Sequence, residues 1–218
     1  MACAICETRK EKRFCPAVHG RICPTCCGTE RELSLDCPSD CIYLLQARRN
    51  EPPREFPEDI EPAAVRDMDI SQEMMLRHED LFLNLIGALT LAFRHDRSLH
   101  DRDMIAGLSA LAQGYEVRMK SGLLYEPPTA NPVQQRISGE LQKVIRDYEQ
   151  HQQKRTGYSA VRDSDVFPIV ILVLRLALAH TSGRPLSRGF LDFLAAEFPE
   201  EKSQIVGPDA SPSRLIVP

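Results

Sequence analysis

All eight cysteines of this 218-residue chain lie between positions 3 and 41. A secreted, disulfide-stabilised protein normally begins with an export signal and spreads its bridges over the whole fold. Here residues 1–13 carry charge but no apolar stretch, so we expect no secretory signal. The clustering therefore predicts metal binding in a reducing compartment, the cytoplasm. The cysteines are Cys3, Cys6, Cys15, Cys23, Cys26, Cys27, Cys37 and Cys41.

The spacing within the cysteine pairs explains why a metal is expected. Cys3-Ala-Ile-Cys6 and Cys23-Pro-Thr-Cys26 each put two thiolates on one tight turn, at the separation that tetrahedral Zn²⁺ requires. Sites made of thiolates alone leave no open position for water, so we predict structural zinc. An iron–sulfur cluster uses the same ligands and is the alternative cofactor. Because this segment has few large apolar side chains, we expect it to need the metal in order to fold.

Eight thiolates divide into two four-ligand sites. We expect an interleaved order, in which successive cysteine pairs along the chain bind the two ions in turn. In a rival assignment, His19 pairs with Cys15, and either Cys26 or Cys27 carries no metal. The preferred assignment gives Cys3, Cys6, Cys23 and Cys26 to the first Zn²⁺ and Cys15, Cys27, Cys37 and Cys41 to the second.

This interleaved order over residues 3–41 resembles the cross-brace zinc fingers, such as the MYND, HIT-type and B-box modules. The chain differs from them in its adjacent Cys26 and Cys27 and in lacking their histidines after the last helix. The resemblance implies a binuclear finger that binds proteins more often than it reads DNA.

The rest of the chain divides by composition. Residues 50–68 contain four prolines among acidic residues, which is typical of an extended linker after a zinc module at 1–49. Residues 69–198 show helical periodicity, and 199–218 contain few packing signals and are expected to form a flexible tail. The predicted fold class is mainly α, a small binuclear zinc finger followed by an all-α bundle of about five helices.

Local signals place these five helices. Asn131 can cap a helix that has Pro132 at its first position, and Gly122 can end the helix before it in the left-handed conformation. The fourth helix is apolar almost all round, which predicts a place at the centre of the bundle. The predicted helices run from Ser71 to Arg94, from Asp101 to Lys120, from Pro132 past Tyr148, from Asp163 or Ser164 to before Gly183, and from Ser187 to Phe198.

The charge balance argues against nucleic acid as the main partner. Residues 1–50 contain eight Lys or Arg and six Asp or Glu, an excess of +2. Two Zn²⁺ ions on eight thiolates add −4, which leaves the loaded module at about −2. Phosphate binding needs a surplus of positive charge. A nucleic-acid-associated regulator that uses the helix ending at Arg48 and Arg49 remains the alternative function.

Two other functional classes, a ribonuclease and a membrane protein, have weaker support in the sequence. Arg175 and His180 match the Arg-x4-His spacing of HEPN-type ribonuclease bundles. A spacing of this kind is unspecific, so a ribonuclease is the third-ranked function. The apolar runs Leu81–Phe93 and Val166–Ala179 are shorter than the ~20 residues needed to cross a bilayer, so no membrane anchor is expected. The sequence thus predicts a zinc-binding regulatory or adaptor protein that acts through protein–protein interaction and catalyses no reaction.

Overall fold

The computed structural model describes residues 1–52, 62–93, 96–125, 131–157 and 161–198. Within these ranges the chain is mainly helical, as predicted, and its strands belong to the cysteine-rich segment. The strands are β1 (Arg13–Cys15) and β2 (Gly20–Ile22), and the α-helices are α1 (Pro24–Glu30), α2 (Ile42–Asn50), α3 (Ala64–Asp67), α4 (Gln72–Arg77), α5 (Glu79–Phe93), α6 (Asp101–Ser121), α7 (Pro132–Thr156), α8 (Asp163–His180) and α9 (Gly189–Glu197).

The cysteine-rich segment folds around one short hairpin. Strands β1 and β2 pair antiparallel, with Arg13 opposite Ile22 and Cys15 opposite Gly20. The turn between them is a 3₁₀ turn that ends at His19, whose φ of 48° is left-handed. Helix α1 follows β2 directly, because Cys23 is its N-cap and Pro24 its first residue. The hairpin and α1 thus bring Cys15 on β1 close to Cys23, Cys26 and Cys27 at the start of α1. We call residues 1–50 the finger.

Helix α8 lies at the centre of the helical domain, as its sequence predicts. It packs against α3, α5, α6 and α9. Its buried residues cover more than half of its circumference, and the positions between them from Pro168 to Leu178 are half-buried, so most of its surface is covered by neighbours. Among the described residues, none of the helices combines the length and apolar composition needed to cross a membrane.

Two predicted helix boundaries are confirmed by their local geometry. Gly122 ends α6 with a left-handed φ of 72°, and its N–H donates to the carbonyl of Arg118. The Asn131 Oδ1 atom accepts a hydrogen bond of 2.9 Å from the N–H of Val133 at the start of α7. Both caps satisfy backbone groups that a helix end leaves without partners.

The structure departs from the predicted elements in two places. The first predicted helix, from Ser71 to Arg94, is divided at His78 into α4 and α5, and Arg94 lies outside the described residues. Helix α3 lies inside the range predicted as a linker, and its Val65 is fully buried against the helical core. Residues 53–61 of that range and the predicted tail at 199–218 are also outside the described residues.

The start of α9 is fixed by a buried carboxylate. Asp101, the first residue of α6, accepts hydrogen bonds from the N–H groups of Phe190 and Leu191 and one of 2.7 Å from the hydroxyl of Ser187. Gly189 sits so close to the end of α8 that a Cβ atom there would overlap the carbonyl oxygen of His180. A glycine is therefore required for α8 and α9 to meet at this angle.

Replacement of Gly189 by alanine tests this junction. We expect G189A to lower the free energy of unfolding by about 2–3 kcal/mol, because the backbone of α8 has to move. The matched control is G139A on α7, where a Cβ meets nothing within 4 Å. There alanine should raise stability by about 0.5–1 kcal/mol through its helix propensity. Urea unfolding of both variants checks this, and equal stabilities would contradict the steric argument.

Candidate metal centre

The first two cysteines lie on a closed loop at the N-terminus. The Cys3 N–H donates to the carbonyl of Arg9 at 2.8 Å, and the Glu7 N–H donates to the carbonyl of Cys3 at 2.9 Å. Ala2 also forms an isolated antiparallel bridge with Lys10. These bonds turn the chain back on itself between Cys3 and Cys6, so that both thiols face the same side.

The other two cysteines of the first predicted site, Cys23 and Cys26, come from the junction of β2 with α1. The Cys23 Sγ atom accepts a hydrogen bond of 3.4 Å from the N–H of Cys26. The Cys23 N–H in turn donates to the Sγ atom of Cys3 at 3.2 Å. Backbone donors therefore already orient the thiols of both loops toward one point.

The four sulfur atoms meet the distance requirement of a metal site. The Sγ atoms of Cys3, Cys6, Cys23 and Cys26 all lie within 4.8 Å of one another. Tetrahedral Zn²⁺ with Zn–S bonds of about 2.3 Å places its sulfurs about 3.8 Å apart. A cation at the centre of this group would need only a small contraction. The sequence predicted this same set of four.

The proton affinities of these thiols also favour a cation. The Thr8 side chain and the backbone N–H groups of Arg9 and Thr8 lower the pKa of Cys6 to about 5. Burial, together with the neighbouring thiols, raises the pKa of Cys26 to about 12. Four thiolates cannot coexist here without a positive charge among them, so a bound metal would replace the protons. Metal affinity should accordingly fall as the pH is lowered.

The other four cysteines, Cys15, Cys27, Cys37 and Cys41, are distributed over β1, α1 and the chain that leads into α2. Cys15 and Cys27 are buried in the same cluster as Ile22, and Cys37 packs against that cluster. The Cys27 Sγ atom accepts a hydrogen bond of 3.4 Å from the Arg13 guanidinium. Burial raises the pKa of Cys37, and the nearby Cys41 and Cys15 add to that rise.

These four thiols are neighbours but do not converge as the first set does. Within the described ranges, Cys3, Cys6, Cys23 and Cys26 form the one group whose sulfur atoms all lie within 4.8 Å of one another. His19, the rival ligand, is exposed at the hairpin turn. The structure therefore assembles one four-cysteine cluster that could hold a metal ion.

A buried ion pair joins the finger to the helical domain. Arg48 on α2 binds Glu32 at 2.7 Å and Asp192 on α9 at 2.6 Å. The Glu32 side chain is only 2% exposed, so Arg48 supplies the charge that its carboxylate needs. The Ser39 hydroxyl adds a hydrogen bond of 2.5 Å to Asp192.

The loop between α8 and α9 contacts the finger through its backbone and one arginine. The Leu186 N–H donates to the carbonyl of Glu32 at 2.9 Å. The Arg184 guanidinium donates to the carbonyls of Gly28 and Arg31, at and just beyond the C-terminal turn of α1. In the structure it satisfies carbonyls near the end of the helix that carries Cys26.

The residues of the proposed nuclease motif have structural partners. Arg175 donates to the carbonyls of Ala64, Val65 and Met68 and so holds the last turn of α3. The His180 ring stacks on Phe193 with 3.8 Å between ring centroids. These contacts give Arg175 and His180 structural roles that do not depend on catalysis.

Comparison with known proteins adds no relative: no protein-family model, curated protein or solved structure matches the chain.

Loss of the Arg48 ion pair should separate the finger from α9. In R48Q, Glu32 becomes a buried carboxylate without a countercharge, and we expect the free energy of unfolding to fall by about 2–4 kcal/mol. The next residue, Arg49, is exposed, so R49Q is the matched control and should change stability by less than about 0.5 kcal/mol. Hydrogen exchange by mass spectrometry should show faster exchange in both α2 and α9 for R48Q alone. Unchanged exchange in α9 would contradict the coupling.

Proposed function

We propose that this chain is a structural zinc protein, in which a metal-ordered finger and a helical domain together form a protein-recognition surface. The observation that carries the proposal is the convergence of four cysteine thiols within 4.8 Å. Thiolates from Cys3, Cys6, Cys23 and Cys26 would complete a closed tetrahedral shell. A closed shell supplies stability and offers no position for a substrate.

A second Zn²⁺ is proposed at Cys15, Cys27, Cys37 and Cys41. Cys15 and Cys27 are buried in one cluster with Cys37 packed against it, and the nearby Cys41 and Cys15 contribute to the raised pKa of Cys37. The Arg13 hydrogen bond to the Cys27 sulfur would offset the negative charge of a four-thiolate site. Because both sites need reduced thiols, we propose that the protein works in the cytoplasm.

The surface proposed for recognition is an apolar hollow between β1 and α2. The exposed fraction of Phe14 is 55% and that of Ile42 is 60%. These side chains, with Pro16 and Tyr43, border a hollow of about 250 Å³. Large exposed apolar side chains around a concavity are typical of protein-binding surfaces. The hollow adjoins Cys41, so the proposed second zinc would fix its shape.

The structure gives less support to the nucleic-acid alternative. Of the two arginines that end α2, Arg48 forms internal ion pairs with Glu32 and Asp192, and Arg49 is exposed. Arg13 lies over the Tyr43 ring at 4.4 Å and donates to Cys27. Two of the basic residues counted from sequence thus have partners within the protein.

The zinc content tests the metal proposal. Native mass spectrometry of the full chain should show two Zn²⁺ per molecule. We expect C6S and C27S each to lose one equivalent, whereas C6H should keep both because imidazole is also a zinc ligand. A single equivalent in the wild type that is unaffected by C27S would contradict the second site. An iron signal in place of zinc would contradict the choice of metal.

The recognition surface is tested with a double substitution that leaves the cysteines intact. F14S/I42S should retain two zinc ions and the wild-type melting temperature within a few degrees, because both side chains are exposed. In affinity capture from cell extract, we expect it to lose proteins that the wild type retains. The matched control is L76S on α4, which removes a side chain with 66% exposure from the helical domain. The same set of captured proteins for wild type and F14S/I42S would contradict this surface.

A further inference from the structure

One side of α5 is apolar and faces away from the helical core. The buried side chains of α5 pack against α7, α8 and α9. On the opposite side, the exposed fraction of Leu83 is 45% and that of Leu91 is 48%. Gly87 lies four residues from each of them, so the three residues form one ridge along the helix. We call Leu83, Gly87 and Leu91 the α5 ridge.

The shape of the α5 ridge allows a second helix to come close. A Cβ built at Gly87 meets nothing within 4 Å, so the missing side chain leaves the helix backbone open at the middle of the ridge. A glycine at this point lets the backbone of a facing helix approach, while the leucine on each side packs beside it. Contact with another helix would also remove the exposed surface of Leu83 and Leu91 from water, which is favourable.

The α5 ridge is complementary to itself. A two-fold axis through Gly87 places two copies of α5 antiparallel, with the two glycines against each other. Leu83 of one copy then lies beside Leu91 of the other, because both leucines are four residues from the axis. The same contact occurs twice, so a single ridge supplies both sides of a symmetric interface.

The two ends of α5 carry opposite charges. Glu79 and Asp80 begin the helix, and both are exposed. Arg97 is exposed in the turn that follows the helix. Within the described ranges, neither Asp80 nor Arg97 forms an ion pair, whereas Arg136 near the same end is paired with Asp96 at 2.6 Å. The acidic end and the basic end can therefore pair with charges on another molecule.

An antiparallel second copy satisfies both charges. Asp80 precedes Gly87 by seven residues, and α5 ends at Phe93, six residues after Gly87. With the rise of an α-helix, both ends lie about 10 Å from the axis. Asp80 of one copy is thus placed near Arg97 of the other, and this attraction is repeated on the other side of the axis. A parallel pair of helices would instead bring like charges together.

We propose that two copies of this chain associate through the α5 ridge as an antiparallel, two-fold symmetric dimer. Contact between single helices buries little surface, so the dimer forms at micromolar concentrations and dissociates on dilution. The interface contains no residue of the finger. Its test therefore does not depend on the zinc sites or on the recognition surface at Phe14 and Ile42.

Sedimentation velocity of the full chain over a dilution series tests the ridge. We expect the wild type to sediment as a dimer at the highest concentrations and as a monomer after dilution. In L83S/L91S, four leucine side chains per dimer lose their contacts, so the dissociation constant should rise at least about tenfold. The matched control is L123S/L124S, which removes two leucines with exposures of 67% and 78% from the segment after α6 and should dimerise as the wild type does.

Charge reversal tests the antiparallel geometry. D80R and R97D should each raise the dissociation constant about fivefold, because two attractions per dimer become repulsions. D80R/R97D exchanges the charges and should return the constant to within about twofold of the wild-type value. The two residues are at opposite ends of α5, so this recovery cannot come from a contact within one copy. R49D makes the same charge change at the exposed Arg49 of α2 and should have no effect.

Each of these variants replaces exposed side chains, so its circular dichroism and melting temperature should stay close to those of the wild type. A change in sedimentation then reports on the interface alone. A wild type that remains monomeric over the whole series would overturn the proposal. So would a dimer that L83S/L91S does not weaken, or one that is as weak in D80R/R97D as in the single variants.

Discussion

The convergence of four thiols near the N-terminus is the constraint on which the finger depends. Its buried apolar side chains other than cysteine are few: Ile22, Leu35 and Leu44. Burying these three side chains contributes only a few kcal/mol to the free energy of folding. That is well below the conformational entropy cost of ordering about fifty residues. The sulfurs are also too close to ionise together without a cation. A bound metal would supply that positive charge and would contribute about 10–16 kcal/mol to the folded finger.

The finger is bound to the helical domain through groups that are in place only when the finger is folded. Glu32 has a left-handed φ of 51° and a buried carboxylate, and it accepts from Arg48 and from the N–H of Leu186. Neither contact survives if the turn before Leu35 is lost. A ligand that stabilises the finger therefore also stabilises the position of α9, since the two equilibria are linked. Metal loading would be felt in the helical domain although no ligand comes from it.

The parts of this structure that sequence predicts are those governed by neighbours along the chain. The Cys-x-x-Cys pairs of the first thiol group, the caps at Gly122 and Asn131, and the central place of α8 all follow from local spacing. The division at His78 and helix α3 do not. Helix α3 is ended by Arg175, a residue more than a hundred positions later, and no local pattern contains that information.

The arginines show most clearly where sequence reasoning stops. Arg48 and Arg49 read as one basic pair, yet a helix turns about 100° between consecutive residues, so one faces the helical domain and the other faces solvent. A count of basic residues in the sequence therefore overstates the positive charge on the surface, because an arginine that is paired with a carboxylate inside the protein does not contribute to it. The glycines also differ in ways that the sequence does not show. Gly139 lowers the helix propensity of α7 and no close contact requires it, because a Cβ built there meets nothing within 4 Å, whereas a Cβ at Gly189 would overlap the His180 carbonyl oxygen.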